Sequence, residues 1–186
     1  MIVIVSGLPR SGTSLLMQML QAGGMPLLID DQRPADADNP HGYWEYEPVK
    51  RLQQDNSWMH QAKGKAVKVV SALLQYLPPQ YTYKIIFMQR PMPEVLASQT
   101  AMLERRGTQG GKADDKTLGA VFAQHLDRTE HWLALQPHMT VLPANYHATL
   151  ADPAAMATRV AQFLGLPLAL EEMACAVDPR LYRQRG

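Results

Sequence analysis

An apolar run, Met1-Ile2-Val3-Ile4-Val5, passes directly into Gly7-Leu8-Pro9-Arg10-Ser11-Gly12-Thr13-Ser14, and then into Leu15, Leu16, Met19 and Leu20. That order predicts a buried strand, a tight turn and a helix with one apolar face. Gly7 and Gly12 permit backbone conformations and close approaches that a side chain would block. The N–H groups of the loop and of the first helical turn can then converge on an anion, assisted by the helix dipole. Thr13 and Ser14 add hydroxyl donors, and Arg10 adds a permanent charge with a fork of donors. The stretch reads as a phosphate cradle.

The Gly-x-x-x-x-Gly spacing is that of the nucleotide triphosphatase loop, but Thr13 stands where the lysine would be. The cation lies inside the loop instead, at Arg10 after Pro9. Pro9-Arg10-Ser11-Gly12-Thr13-Ser14 resembles the 5′-phosphosulfate loop of the sulfotransferases that use 3′-phosphoadenosine 5′-phosphosulfate (PAPS). The resemblance implies that Pro9, Arg10, Ser11, Gly12, Thr13 and Ser14 bind that co-substrate.

Further along, Gly23-Gly24-Met25-Pro26 is a stop signal, and residues 27–43 read as a long irregular loop, a feature more often functional than idle. A helix is expected from about Glu45 or Pro48 to His60, with Val49, Leu52 and Met59 inward. Strands are expected over 65–70, 83–88 and 139–142, with a short helix or turn over 71–77. Helices are expected over 94–106, 114–135, 152–164 and 170–177, and the third-strand helix has Pro93 ahead of it. Residues 107–112 are the most flexible stretch by composition. Strands alternating with helices predict an α/β three-layer sandwich: a mainly parallel sheet with helices on both faces, of the P-loop NTPase-like kind. No repeat or linker divides residues 1–186, so one domain is expected. Ligands of such sheets bind beyond the carboxyl ends of the strands. That rule places the loops after strand one, after Val70 and after Met88 on one rim.

Composition narrows the partners. An apolar content of 46% with 19% charged residues describes a soluble globular protein. A net charge of +1 gives no reason to propose nucleic acid. No apolar stretch reaches the length of a membrane span, and the first apolar run lacks the basic flank of a signal peptide. The single cysteine, Cys175, excludes an internal disulfide and is expected to be buried packing. A cytoplasmic location is the expectation.

On the expected rim, Arg90-Pro91-Met92-Pro93-Glu94-Val95-Leu96-Ala97-Ser98 follows the third strand. An Arg leaving a strand and a hydroxyl one to two turns into the next helix can grip a second phosphate. The pattern resembles the sulfotransferases' 3′-phosphate motif, with Arg90 and Ser98 at the matching spacing and the family's proline displaced by one. Val141 to Tyr146, with Leu150, Asp152-Pro153 and Phe163-Leu164-Gly165, resembles a further family segment whose tyrosine lies beside the adenine. This implies that role for Tyr146; the acidic residue that usually follows is His147 here. The tail from Asp178 to Gly186 resembles the ends of bacterial family members. The resemblance implies that Arg183 and Arg185 can reach the 3′-phosphate, a solvated tail being the equal alternative.

Sulfuryl transfer needs charge on the leaving oxygen, charge on the sulfuryl oxygens and a base for the acceptor proton. The sulfuryl group carries less charge than a phosphoryl, so no metal is required. Arg10 is the candidate for the leaving oxygen. Lys68 resembles the family lysine that points at the sulfuryl group; a strand-edge lysine in water is its alternative. The histidine that serves cytosolic members as base would lie at Val70, which rules out that route. Other branches use a glutamate after the cradle. Gly42-Tyr43-Trp44-Glu45-Tyr46-Glu47 fits, with aromatic neighbours that would keep water from a carboxylate, so Glu45 is the leading base, ahead of Glu47 and His41. The remaining histidines have no metal-ligand spacing and read as structural or exposed.

The expected function is sulfuryl transfer from PAPS to a hydroxyl acceptor (a small molecule, carbohydrate or lipid). A P-loop small-molecule kinase and a non-catalytic nucleotide binder are the alternatives. Residues 27–47 and 106–114 would shape the acceptor pocket.

Overall fold

A computed structural model describes residues 1–30, 32–33, 35–36, 42–105, 107 and 115–178. The chain runs β1 (Ile2–Gly7), α1 (Thr13–Ala22), 3-10 turns at Glu47–Arg51 and Ser57–Ala62, β2 (Ala66–Lys68), and a 3-10 turn at Ser71–Tyr76. It continues through β3 (Tyr83–Gln89), α2 (Met92–Arg105), α3 (Asp115–Ala134), β4 (Met139–Asn145), α4 (Tyr146–Ala151), α5 (Pro153–Leu164) and α6 (Leu170–Cys175). Among the described residues the sheet has the order β2-β1-β3-β4, with every pairing parallel. This is the expected α/β sandwich.

Alternation along β1 separates two cores. Val3 and Val5 join Leu16, Met19 and Leu20 of α1 with Val160 and Leu164 of α5 and Met173 of α6. Ile2 and Ile4 face the opposite layer, with Leu52, Trp58, Met59, Leu74 and Leu133. A strand so fully apolar has no solvent face, which is why helices must cover both sides. Parallel register then brings every strand to the same end: Val5 lies opposite Lys68, Gly7 opposite Met88, and Gln89 opposite Asn145. The three expected loops share that rim, and the β4–α4 junction makes a fourth.

Four expectations need correction. The helix from Glu45 or Pro48 to His60 is two short 3-10 turns, because Asp55 accepts the Ser57 N–H at 2.9 Å and breaks the chain between them. Val49, Leu52 and Met59 still point inward. The fourth strand does not stop at Leu142 but continues through Pro143; β4 is an edge strand, where a missing N–H breaks no ladder bond. A helix, α4, also begins at Tyr146 without having been expected, capped by the Asn145 side chain accepting from the Ala148 N–H at 2.9 Å. Finally, Cys175 is exposed, because Met173 of α6 and Val177 just past its end take the inner side. Residues 108–112 of the flexible stretch lie outside the described residues.

Candidate functional site

The cradle is built by a turn with little room. Gly7 has φ 149°, and a Cβ there would lie 2.5 Å from Ser11 Oγ and 2.6 Å from the Met88 carbonyl oxygen. Gly12, at φ 105°, packs against Tyr146, whose ring carbon would be 2.5 Å from an added Cβ. Between them Arg10 adopts a left-handed conformation, φ 70°, which costs a side-chain-bearing residue roughly 1–2 kcal/mol. Ser11 is buried, and its hydroxyl has no hydrogen-bond partner. Thr13 and Ser14 open α1, whose first turn holds no acidic residue.

The two arginine motifs meet directly. Arg10 Nε donates to Ser98 Oγ at 3.0 Å, and Arg90 Nη1 donates to the Arg10 carbonyl at 3.2 Å. Arg90 also pairs through Nε with Glu94 at 2.9 Å, and its guanidinium lies 4.4 Å from the centre of the Tyr146 ring. Burial raises the Tyr146 phenol pKa, against the opposing charge of Arg90. Arg10, Arg90, Ser98 and Tyr146, distant in sequence, are thus brought together. His147 Nε2 contacts Glu94 at 2.7 Å.

A second cluster lies on the other side of the cradle. Lys68, at the end of β2, is buried and donates to Ser14 Oγ at 3.2 Å and to the Tyr43 carbonyl. The strand-edge lysine in water is therefore not what forms. Burial pulls its pKa down to about 8; Glu45 opposes that shift, and the charges of Arg33 and Arg10 add to it. Glu45 lies 3.7 Å from the lysine and accepts from Arg33 Nη1 through both oxygens, at 3.1 and 3.3 Å.

Arg33 was not foreseen, since nothing in a loop of mixed polar residues distinguishes it. Its guanidinium stacks 3.2 Å from the centre of the Tyr43 ring, and the Tyr43 hydroxyl donates to Asp36 at 2.7 Å. Glu45 therefore stands among cations as well as aromatics. Glu47 instead pairs with Lys50 at the surface, at 2.6 Å. His41, Arg183 and Arg185 lie outside the described residues. His125 bonds to Ser71 Oγ at 2.8 Å, tying α3 to the turn after β2. Among the described residues, no cluster of His, Cys, Asp or Glu could hold a metal ion. None of the described helices is long and apolar enough to cross a membrane.

No curated protein matches the sequence. Among solved structures, the fold is similar to the sulfotransferase domain of the olefin synthase from Synechococcus PCC 7002 (16% identity, 100% of this chain and 80% of that one, TM-score 0.59). It is also similar to a sulfotransferase from Alicyclobacillus acidocaldarius (13%, 96% and 87%, TM-score 0.54). A third similar structure is retinol dehydratase in complex with androsterone and the inactive cofactor PAP (16%, 97% and 64%, TM-score 0.52). Identities at this level speak to the fold alone. The sequence itself matches the sulfotransferase domain family model over residues 2–179. With that match over nearly its whole length, the chain belongs to the sulfotransferase family.

Proposed function

We propose that this chain is a single-domain, cytoplasmic sulfotransferase that moves a sulfuryl group from PAPS to the hydroxyl of a small-molecule, carbohydrate or lipid acceptor. The observation that carries the reading is the contact between Arg10 and Ser98, which joins the two motifs suited to the two anionic ends of one nucleotide. The residues present fit such a donor. The Ser11 hydroxyl is buried without a partner, and the Gly12 backbone is held too close to Tyr146 for any larger residue. PAPS, when bound, supplies the sulfuryl group and a good leaving group, adenosine 3′,5′-bisphosphate.

In this reading the residues 9–14 hold the 5′ end, with Arg10 also countering charge on the leaving oxygen. Arg90 and Ser98 hold the 3′-phosphate, joined by Arg183 and Arg185, and Tyr146 lies beside the adenine. Lys68 faces the sulfuryl oxygens, a role supported by its bond to Ser14 at the start of α1. Glu45 takes the acceptor's proton. No metal enters the scheme.

Binding without turnover is a second reading, favoured by the grip of Arg33 on both oxygens of Glu45. The kinase alternative needs an acidic strand end to hold magnesium. The described strands end in Gly7, Lys68, Gln89 and Asn145, none of them acidic.

The test is calorimetric titration with adenosine 3′,5′-bisphosphate in the absence of magnesium, followed by labelled PAPS against a panel of alcohols, phenols and sugars. Metal-independent binding with label transfer is expected. Binding without transfer across the panel would favour the second reading, and ATP binding that requires magnesium would overturn the first.

A further inference from the structure

Glu94 connects the site to a side chain outside it. It sits in the first turn of α2 at 5% exposure, where a carboxylate is tolerated only if its oxygens are bonded. Both are: Oε2 accepts from Arg90 Nε at 2.9 Å, and Oε1 meets His147 Nε2 at 2.7 Å. A carboxylate only accepts, so Nε2 carries the proton and His147 is the donor.

We propose that His147 is a positioning residue that sets the direction of the Arg90 guanidinium through Glu94, and thereby the affinity for the donor's 3′-phosphate. This rests on reading Arg90 as the partner of that phosphate. With a donor on each oxygen, the Glu94 carboxylate is held in one orientation, and Arg90 is docked on it through Nε. The guanidinium face then lies over Tyr146, and Nη1 reaches the Arg10 carbonyl. The arginine of the second motif is thus aligned with the loop of the first.

The support for His147 is rigid. It stands in the opening turn of α4, where Asn145 caps the helix and the buried Thr149 hydroxyl bonds back to the Asn145 carbonyl at 2.7 Å. The His147 side chain is itself 44% exposed, so its truncation opens little cavity. What truncation removes is a charge-assisted donor to a buried carboxylate, which loosens the hold on its orientation. The arginine bonded to its other oxygen turns with it.

The test compares binding of adenosine 3′,5′-bisphosphate with that of adenosine 5′-monophosphate, which lacks the 3′ group, by titration calorimetry on the full chain. His147→Leu is expected to weaken the bisphosphate about tenfold, the size of a lost charge-assisted hydrogen bond, and the monophosphate by less than about twofold. His147→Gln, which keeps an N–H at a similar reach, is expected to restore bisphosphate binding to within about twofold of the unmodified chain. His147→Glu sets a like charge against Glu94 and is expected to be the weakest of the three. Bisphosphate binding unchanged in His147→Leu, equal losses for both nucleotides, or a glutamine variant no better than leucine would each overturn the relay alone. An unmodified chain that binds the two nucleotides equally would overturn the 3′-phosphate reading of Arg90, and the relay with it.

Discussion

Arg10 and Ser98, 88 residues apart in sequence, share a hydrogen bond of 3.0 Å from Nε to Oγ. The bond joins the turn after β1 to the helix after β3, and it leaves the guanidinium of Arg10 oriented from its inner edge. Arg10→Ala and Arg90→Ala are each expected to weaken binding of adenosine 3′,5′-bisphosphate by about 2–4 kcal/mol, since a charged donor to a phosphate is lost. Ser98→Ala should cost less, about 1 kcal/mol, and the Arg10/Ser98 double variant should lose less than the sum of the two. Calorimetric titration of the four chains checks the coupling; strict additivity would show that the bond does not orient Arg10.

Lys68 carries a pH dependence. Its charge is required on the sulfuryl side in the proposed reaction, and burial holds its pKa at about 8. Rate at saturating PAPS is therefore expected to fall as pH rises through about 8. Lys68→Arg should move that fall to higher pH, because a guanidinium keeps its proton. Initial rates across pH 6–10 decide it.

The same group affects stability with a definite sign. Its folded pKa, about 8, lies below the reference value of 10.5. Below about pH 8 both folded and unfolded chains carry the proton, and the burial penalty is felt in full. Between about 8 and 10.5 only the unfolded chain keeps it, so this residue makes stability rise with pH across that window. The stability of Lys68→Met relative to the unmodified chain should consequently drop by about 2 kcal/mol between pH 7 and pH 9.5. Urea unfolding at the two pH values measures that difference.

Glu45→Gln is expected to leave nucleotide affinity within about twofold and to remove turnover, since an amide cannot take the acceptor's proton. Normal sulfuryl transfer by this variant would sink the assignment of the base. Arg33→Met should separate the restraint on Glu45 from the chemistry: a changed rate with unchanged bisphosphate affinity places Arg33 on the acceptor side.

Gly12→Ala tests the turn itself. The new methyl would meet the Tyr146 ring at 2.5 Å, on a backbone at φ 105° that alanine adopts poorly. Thermal unfolding should show a loss of about 3 kcal/mol, combining overpacking with left-handed strain. Adding Tyr146→Leu should recover part of it by giving the methyl room.

Much of the architecture was readable because its signals are local. The apolar run before Gly7, the Gly23-Gly24-Met25-Pro26 stop and the Pro153 start each act within a few residues, and β1, α1 and α5 form where they indicate. The failures were also local contests. At residues 45–60 a helical pattern lost to the Asp55 turn, and at Cys175 an apolar neighbourhood did not say which side of a short helix faces the core. For the site, the motif residues were legible as types at fixed spacing. Their partners were not: the bond from Arg33 to Glu45 and the bond from His147 to Glu94 join segments with no shared pattern.

By itself, the order of residues determined that a strand apolar on both faces ends in a glycine-bearing turn, and that the chain carries two arginine motifs suited to anions. Periodicity and backbone sterics decide such things, and they act over one or two helical turns. Only the tertiary structure decided that these motifs touch, that Lys68 is buried rather than bathed in water, and that Glu45 is held between two cations. Those outcomes depend on parallel register, which brings the ends of β1, β2 and β3 to one rim, and on desolvation, which a side chain feels only once its neighbours are in place.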